Sequence, residues 1–263
     1  MADRRERRPA QDGEERFGGT IEGRNAVLEA LRAGRGLEKV YLAEGDTDHT
    51  LHRIAALARE KGAVVTACDR RKLDAMSETH AHQGVIAVAS AVEYATVEDL
   101  LALARERGQT PLLVVCDGIT DPHNLGAVLR TAEAAGAQGV IIPKRRAVGV
   151  NAVVGKTSAG ALEHIKVCKV ANLTDTLKLL KKQGLWVYGT AADGGTSLYD
   201  AGLDGPAVIV IGSEGDGMSR LVREACDFVV SIPMMGKMNS LNASAAAAVL
   251  LYEAVRKRQS RTV

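Results

Sequence analysis

Hydrophobic and polar positions alternate along the chain with two different periods. Between residues 20 and 90, apolar residues recur every three to four positions in three segments, which predicts helices over "IEGRNAVLEALRAG", "HTLHRIAALAREKG" and "RRKLDAMS". In the second helix, the predicted buried face consists of Leu51, Ile54, Leu57 and Ala58. The intervening and following segments "LEKVYLA", "AVVTAC" and "GVIAVAS" are typical of strands. The pattern predicts a compact α/β unit.

A second region follows a predicted boundary near Val92 to Thr96. Thr96 and Asp99 have the spacing of a capping box ahead of an apolar run, so we expect them to open a helix. From Pro111 onward, helices alternate with the apolar strands "PLLVVCDG", "GVIIPK", "KVCKV", "LWVYGT", "PAVIVIG" and "DFVVSIP". Continuous apolar strands indicate a mostly parallel sheet that is covered on both faces. The last helix is predicted from about Ser240 to Arg258.

Composition adds few constraints. The 263 residues carry a formal net charge of +2, so a nucleic-acid site must come from local arrangement rather than bulk charge. The four cysteines lie far apart without metal-ligand spacing, so we expect reduced, buried thiols and no metal. Since the chain has neither an apolar signal region nor a run of 18 apolar residues, we predict a cytoplasmic protein without a membrane partner.

The first sixteen residues, "MADRRERRPAQDGEER", contain five Arg and five acidic residues without hydrophobic periodicity. We expect a disordered tail over residues 1–16, which is either solvated or contacts RNA. The predicted domains are then an α/β unit over residues 17–92 and a larger α/β unit over residues 96–263.

Ligands of parallel α/β sheets bind beyond the carboxyl ends of the strands, and three such ends carry unusual residues. The first is "CDGITDPHNLGAVLRTAEAAG", in which Asn124 is able to cap a helix. Arg130 is flanked by the predicted buried stripe of that helix, formed by Leu125, Val128, Leu129 and Ala132. Two interpretations stay open, because Asn124 and Arg130 could be functional, or could be a cap and a partner of Glu133.

The second strand end is "IGSEGDGMS", which resembles a phosphate-binding loop without its lysine. Gly212 and Gly217 have the required spacing, but Met218 occupies the lysine position. Glu214 and Asp216 would repel a polyphosphate, so the pattern excludes a nucleoside triphosphate. It favours a neutral or cationic ligand such as S-adenosylmethionine, unless the segment is only a tight turn with solvated acids.

The third strand end is "SIPMMGKMNSLNASAAAAVLLYEAVRKR". The residues Asn239, Ser240 and Asn242 precede a helix with a face of small and aliphatic side chains, namely Ala243, Ala246, Ala247, Leu250, Leu251 and Ala254. Such a face permits close approach of another helix or a loop. The alternative is ordinary capping of an alanine-rich core helix.

Taken in order, "DPHNLGAVLRTAEAAG", "VIGSEGDGMSRLV" and "SIPMMGKMNSLNASAAAAVLLYE" resemble the three motifs of the SpoU (TrmH-like) branch of the SPOUT methyltransferases. The segments "IEGRNAVLEAL" and "HQGVIA" resemble the small substrate-binding domain that precedes the catalytic domain in ribosomal RNA 2′-O-methyltransferases. The resemblance covers nearly everything after about Phe17 and is strongest to the branch that methylates a guanosine ribose of large-subunit ribosomal RNA.

The resemblance implies an α/β catalytic domain with a deep trefoil knot at its C-terminus, preceded by a ribosomal-protein-like RNA-binding domain. It also implies S-adenosyl-L-methionine as the cofactor. The implied cofactor contacts are Thr190, Ala191, Gly212, Ile232 and Leu241, largely through the backbone. The implied catalytic and RNA-placing residues are Asn124, Arg130, Glu214, Ser240 and Asn242, and the implied RNA contacts of the first domain are Arg24 and Asn25.

The implied reaction is attack of a ribose 2′-oxygen on the cofactor methyl group. In the resembling family the Arg equivalent to Arg130 is the favoured base, although a guanidinium is always protonated, so a role in orienting phosphate stays open. We further hypothesise that the acidic loop attracts the sulfonium charge and that Glu214 orders Asn124 or Arg130. The resemblance further implies a homodimer with the site near the subunit interface. Alternatives are a transfer-RNA ribose methylase, an antibiotic-resistance methylase of the ribosome, and a non-catalytic RNA-binding module.

Overall fold

The computed structural model describes residues 19–45, 48–77, 79–90, 92–192 and 195–260. The predicted tail over residues 1–16 lies outside these residues. Within them the chain separates into two compact units. The division falls between Val92 and Glu93, except that residues 150–152 group with the first unit.

The first unit contains a mixed four-stranded sheet with three helices. Its elements are β1 (Thr20–Glu22), α1 (Arg24–Arg32), β2 (Leu37–Ala43), α2 (His49–Glu60), β3 (Val64–Cys68), α3 (Arg70–Met76) and β4 (Val85–Ala89). The strand order is β1-β4-β2-β3; β2 and β3 are parallel, whereas β4 is antiparallel to both of its neighbours. The predicted α/β class of this unit is confirmed.

One element of this unit differs from its prediction. The segment from Ile21 was predicted as the start of a helix, but Thr20–Glu22 forms a strand that pairs with β4. Gly23 has φ 90°, a conformation that glycine adopts without a Cβ penalty, and it separates the strand from α1. On α2, Leu51, Ile54 and Ala58 are buried as predicted, while Leu57 is only half-buried.

The second unit contains a seven-stranded sheet in which every pairing is parallel. Its helices are α4 (Val97–Glu106), α5 (Pro122–Ala134), α6 (Ala152–Thr157), α7 (Leu173–Lys182), α8 (Arg220–Ala225) and α9 (Ala243–Ser260). Its strands are β5 (Leu112–Asp117), β6 (Gly139–Pro143), β7 (Lys166–Val170), β8 (Trp186–Thr190), β9 (Thr196–Ser197), β10 (Ala207–Gly212) and β11 (Phe228–Ser231). The strand order is β7-β6-β5-β10-β8-β11-β9.

Helices cover this sheet because its strands are apolar on both sides, so the predicted parallel α/β architecture is confirmed. The predicted stripe of α5, from Leu125 to Ala132, is fully buried, and α9 packs against α5 and β10. Thr96 and Asp99 form the predicted capping box at the start of α4. The knot stays a prediction, since strand order alone does not define how the chain threads. None of the helices in the described ranges is long and apolar enough to cross a membrane.

Candidate active site

The candidate site lies where the strand order of the parallel sheet changes direction. β5 and β10 are neighbours, but the chain continues from β5 to β6 on one side and from β10 to β11 on the other. Ligands of open α/β sheets bind outside the carboxyl ends of the strands at such a point. Two of the three motif segments leave the sheet there, after Asp117 and after Gly212, whose Cα positions are paired.

The glycine loop after β10 is closed on itself. Ser213 and Gly217 exchange two backbone hydrogen bonds, of 3.0 and 3.1 Å, and Gly217 has φ 67°. A Cβ atom on Gly212 would lie 2.4 Å from the carbonyl carbon of Gly217 and 2.4 Å from the nitrogen of Met218. Since both contacts are to backbone atoms, only glycine fits at position 212. The loop is therefore a closed, tightly packed turn that carries Glu214.

Glu214 joins all three motif segments through one carboxylate oxygen. Its Oε1 accepts hydrogen bonds from Asn124 Nδ2 at 3.0 Å and from Asn242 Nδ2 at 2.5 Å. Asn242 Nδ2 also donates to Asn124 Oδ1 at 2.9 Å, which closes the triangle. The Ala243 backbone N–H lies 3.4 Å from the same carboxylate oxygen, so the start of α9 also contributes positive potential.

Asn124 is held at the start of α5, but it is not the residue that caps this helix. Asp121 is the N-cap, and its carboxylate accepts hydrogen bonds from the backbone N–H groups of His123 and Asn124 at 3.1 and 3.2 Å. Pro122 occupies the first helical turn, where its missing N–H is not needed. The open interpretation of Asn124 as a cap is therefore wrong. Asn124 is only 9% exposed, and its side chain instead forms hydrogen bonds with Glu214 and Asn242.

Asn242 has two roles, because it belongs to the network and also caps α9. Its Oδ1 accepts from the backbone N–H groups of Ser244 and Ala245, at 2.9 and 3.2 Å, and from Ser244 Oγ at 2.6 Å. The helix therefore begins at Ala243 rather than at the predicted Ser240. Ser240 lies in the exposed segment before the cap.

Arg130 is not part of this network in a single chain. It lies on α5 six residues beyond Asn124 and is exposed. Within the described residues no ion pair joins it to Glu133, so the alternative explanation of Arg130 as a helix-surface partner has no support. Its guanidinium group is available to a ligand or to another molecule.

The five predicted cofactor contacts lie at the same edge of the sheet. Thr190 ends β8 and donates from Oγ1 to the Val210 carbonyl oxygen at 2.9 Å. The backbone N–H of Ala191 donates to the Val230 carbonyl oxygen at 3.0 Å, which ties the end of β8 to β11. Ile232 follows β11 and is half-buried, whereas Leu241 is 40% exposed just before α9.

Sequence reasoning missed one residue that holds the site together. Asp117, the last residue of β5, accepts a hydrogen bond from the backbone N–H of Ser219 at 2.7 Å. It thereby fixes the end of the glycine loop to the neighbouring strand. The position of Asp117 at the end of an apolar strand indicated a functional or structural role. Its partner Ser219, however, is 102 residues away in sequence and could not be identified from the pattern.

Cys116, next to Asp117, is excluded as an acid–base or nucleophilic group. It is fully buried, and burial raises the pKa of its thiol to about 12, with a smaller contribution from the Asp117 carboxylate. The thiol is therefore neutral near pH 7. The other three cysteines are also free thiols, but Cys226 is only half-buried rather than fully buried as predicted.

In the first unit, the two predicted RNA contacts have different surroundings. Arg24 Nε donates to the Gln83 carbonyl oxygen at 2.8 Å, and the Arg24 guanidinium forms an ion pair with Asp48. Asn25 is exposed in the first turn of α1. Arg24 therefore holds the loop before β4, while the Asn25 side chain faces solvent.

Comparison with known proteins identifies the family. Residues 111–252 match the SpoU rRNA Methylase family, and residues 20–95 match the family described as RNA 2′-O ribose methyltransferase substrate binding. The chain is 47% identical over 236 residues to a Bacillus subtilis (strain 168) protein that is assigned to the TrmH family of tRNA/rRNA methyltransferases. That alignment covers 90% of this chain and 94% of the relative.

Solved structures have the same architecture. The SpoU methyltransferase AviRb from Streptomyces viridochromogenes, crystallised with AdoMet, is 26% identical with a TM-score of 0.59, over 94% of this chain and 92% of that one. The A. aeolicus TrmH/SpoU tRNA modifying enzyme is 26% identical with a TM-score of 0.54, over 62% of this chain and 86% of its own. The chain therefore belongs to the SpoU (TrmH-like) family of RNA 2′-O-ribose methyltransferases.

Proposed function

We propose that this methyltransferase acts on ribosomal RNA and methylates the ribose 2′-oxygen of a guanosine in the large-subunit RNA. The observation that carries the choice of RNA is the first unit, whose residues 20–95 match a substrate-binding family of ribose methyltransferases. The tRNA modifying enzyme of A. aeolicus aligns with only 62% of this chain, whereas AviRb aligns with 94%. The additional unit therefore supports a ribosomal rather than a transfer RNA as the substrate.

The methyl donor is S-adenosylmethionine, which supplies a methyl group on a positively charged sulfur. The residues at the switch point suit such a molecule. Leu241 and Met238 are 40% and 72% exposed there and offer apolar surface to an adenine ring. Glu214 and Asp216 provide negative charge, and Met218 occupies the position at which a phosphate-binding loop has its lysine. A polyphosphate would be repelled by the same groups.

In the reaction, the hydrogen bonds among Glu214, Asn124 and Asn242 hold these side chains in place while the substrate 2′-oxygen approaches the methyl group. Glu214 orients both the Asn124 and the Asn242 amides, so two side chains 118 residues apart in sequence keep a constant geometry. Positioning of this kind supplies a large part of the acceleration in a transfer between two bound molecules. Arg130 is proposed to orient the RNA phosphate and to stabilise the alkoxide that develops on the ribose.

We also propose that the active form is a homodimer with the active site near the subunit interface. The exposed Arg130 would contribute to the site at that interface. The face of small side chains on α9 was predicted to permit close approach of another helix or a loop, but Ala243, Ala247 and Ala254 are buried within the chain. The exposed side of α9 instead presents Val249 and Tyr252, three residues apart and therefore on one face of the helix. This exposed side supports the dimer proposal.

Transfer of a tritiated methyl group to purified large-subunit RNA and to transfer RNA tests the substrate. We expect incorporation into the ribosomal RNA, with mass spectrometry placing the methyl group on a guanosine ribose. Incorporation into transfer RNA alone would overturn the choice of RNA. Arg130→Ala should lower the single-turnover rate at least about a hundredfold while cofactor affinity stays near normal.

A further inference from the structure

We propose that Lys144, Arg145 and Arg146, together with Lys156, form a binding site for the phosphodiester backbone of the RNA beside the active site. The first three residues make up the basic loop that follows β6, and Lys156 lies on α6. The inference rests on the proposed function, because it assigns the surface that receives the RNA strand flanking the target ribose.

The basic loop places three cations at consecutive positions, and none of them has a counter-charge among the described residues, whereas other cations of this unit are paired. Arg105 pairs with Glu98, Lys181 with Asp227, Arg220 with Glu224 and Arg256 with Glu253. Across the described residues no carboxylate forms an ion pair with any of the four cations at positions 144, 145, 146 and 156. Since the chain has nearly equal numbers of cations and anions, an unpaired run of this kind is a local feature.

The basic loop is connected directly to the segment that carries Asn124. β6 lies next to β5, and the loop leaves the sheet at the carboxyl end, where the candidate site lies. The backbone N–H of Val148 donates to the Ile119 carbonyl oxygen at 2.9 Å, between β5 and the Asp121 cap of α5. The backbone N–H of Lys144 donates to Val170 at 2.8 Å, which fixes the start of the loop to β7.

Lys156 lies on α6, and this helix packs against the start of α5, near the basic loop. Thr157, next to Lys156, donates from Oγ1 to the Pro122 carbonyl oxygen at 3.4 Å. A Cβ atom on Gly126 would lie 1.9 Å from Thr157 Oγ1, so α6 packs directly on the first turns of α5. Two separate segments therefore place cations around the start of the helix that carries Asn124.

The backbone of the loop is held in an unfavourable conformation. Arg146 has φ 58°, in the left-handed region, which costs a residue with a Cβ atom about 1–2 kcal/mol. Such conformations persist where the surrounding structure imposes them and are concentrated at functional sites. Arg145, Arg146 and Lys156 are exposed, so their charges face solvent rather than the core.

The charges fit a polyanion better than they fit the cofactor. S-adenosylmethionine carries a single carboxylate, whereas four unpaired cations match the successive phosphates of an RNA strand. Binding of phosphates by lysine and arginine releases counterions and depends strongly on salt concentration. Phosphate contacts position the nucleic acid but carry no sequence information. The basic loop is therefore expected to position the RNA, while other residues select the nucleotide.

The test compares the double variant Arg145→Gln/Arg146→Gln with the control variant Arg105→Gln. Arg105 lies at the end of α4, before β5 begins, and therefore near the opposite edge of the sheet. Steady-state methylation of the RNA is measured at several salt concentrations, and cofactor affinity is measured by calorimetry. The double variant should raise KM for RNA about tenfold at 0.15 M salt and reduce the slope of log KM against log salt by about 1.5. Its kcat and cofactor affinity should stay within about twofold of the parent values.

A double variant with the KM and salt slope of Arg105→Gln would overturn the proposal, as would a loss confined to kcat. Failure of the proposed function gives a different result, because the parent enzyme would then methylate transfer RNA and not ribosomal RNA. In that event the same salt series on the methylated RNA still decides whether the basic loop binds phosphate.

Discussion

Replacing Asn124 with Asp tests the hydrogen-bond network with a minimal change of shape. The substitution exchanges one amide nitrogen for a carboxylate oxygen. In the parent chain that nitrogen donates to Glu214 Oε1 at 3.0 Å, in a residue only 9% exposed. Asn124→Asp therefore replaces an attractive contact by a contact between two carboxylates without creating a cavity.

The expected loss has two parts. A hydrogen bond to a charged group contributes about 1.5–3 kcal/mol, and this contribution is lost. Two unit charges 3 Å apart repel by about 5 kcal/mol at an effective dielectric constant of 20. Because Glu214 is exposed, solvent screens much of this repulsion. We expect a net loss of about 3 kcal/mol in the free energy of unfolding at pH 7.5.

The pH dependence follows from the sign of the perturbation. An Asp carboxyl in an unfolded chain titrates near a pKa of about 3.9. In the folded variant the neighbouring Glu214 carboxylate raises the pKa of the new carboxyl group. A group with a raised folded pKa stabilises the fold at low pH and loses that contribution as the pH rises through the folded pKa. The deficit of Asn124→Asp should therefore shrink between pH 7.5 and pH 5, where the protonated carboxyl can donate to Glu214.

Urea unfolding followed by tryptophan fluorescence measures this deficit in the correct unit, because the single tryptophan of the chain, Trp186, lies on β8. The matched control is Asn239→Asp, which adds the same charge at an exposed residue of the segment before α9. The reasoning is refuted if Asn124→Asp unfolds at the parent midpoint at pH 7.5. It is also refuted if its deficit is the same at pH 5 or equals that of the control.

Three further predictions concern the remainder of this unit. Gly212→Ala should weaken cofactor binding more than tenfold in calorimetry with the far-ultraviolet spectrum unchanged, since the new Cβ atom would lie 2.4 Å from the Gly217 carbonyl carbon; unchanged affinity would show that the loop can move aside. Arg258→Ala should lower the unfolding free energy by about 2–4 kcal/mol, because its guanidinium nitrogens donate to backbone carbonyl oxygens at 3.0, 2.8 and 2.7 Å; a loss below about 0.5 kcal/mol would contradict this role. Cys116 and Cys168, whose pKa values burial raises to about 12 and about 11, should resist iodoacetamide at pH 7.5 until urea unfolds the chain, and rapid labelling of the native protein would contradict their burial.

The parts of the fold that follow from local pattern were predictable. The stripe from Leu125 to Ala132 is fully buried, and the capping box of Thr96 and Asp99 opens α4 as its spacing indicated. Both depend on residues within a few positions of each other. The two short strands β1 and β9, of three and two residues, were missed because a strand of that length has too few alternations to give a pattern.

The hydrogen bonds of the site could be predicted only in part, for a different reason. Asn124 is 90 residues from Glu214 and 118 residues from Asn242, so their contact depends on the order of the strands in the sheet. Strand order is a property of the packed chain, and no local pattern encodes it. The motifs indicated which residues matter, and the hypothesis that Glu214 orders Asn124 is confirmed. The contacts of Asn242 with both residues required the structure.

The hydrogen bonds of Glu214 explain why the glycine loop carries an acidic residue and lacks a lysine. In a phosphate-binding loop the lysine and the backbone N–H groups all face an anion that arrives with the ligand. Here the anion is part of the protein, because the Glu214 carboxylate receives the amides of Asn124 and Asn242 and the first N–H of α9. A lysine at Met218 would compete with these donors for the carboxylate and would also repel a sulfonium cofactor. The Glu214 carboxylate, which would repel a nucleoside triphosphate, therefore also supplies the charge that joins the three segments of the candidate site.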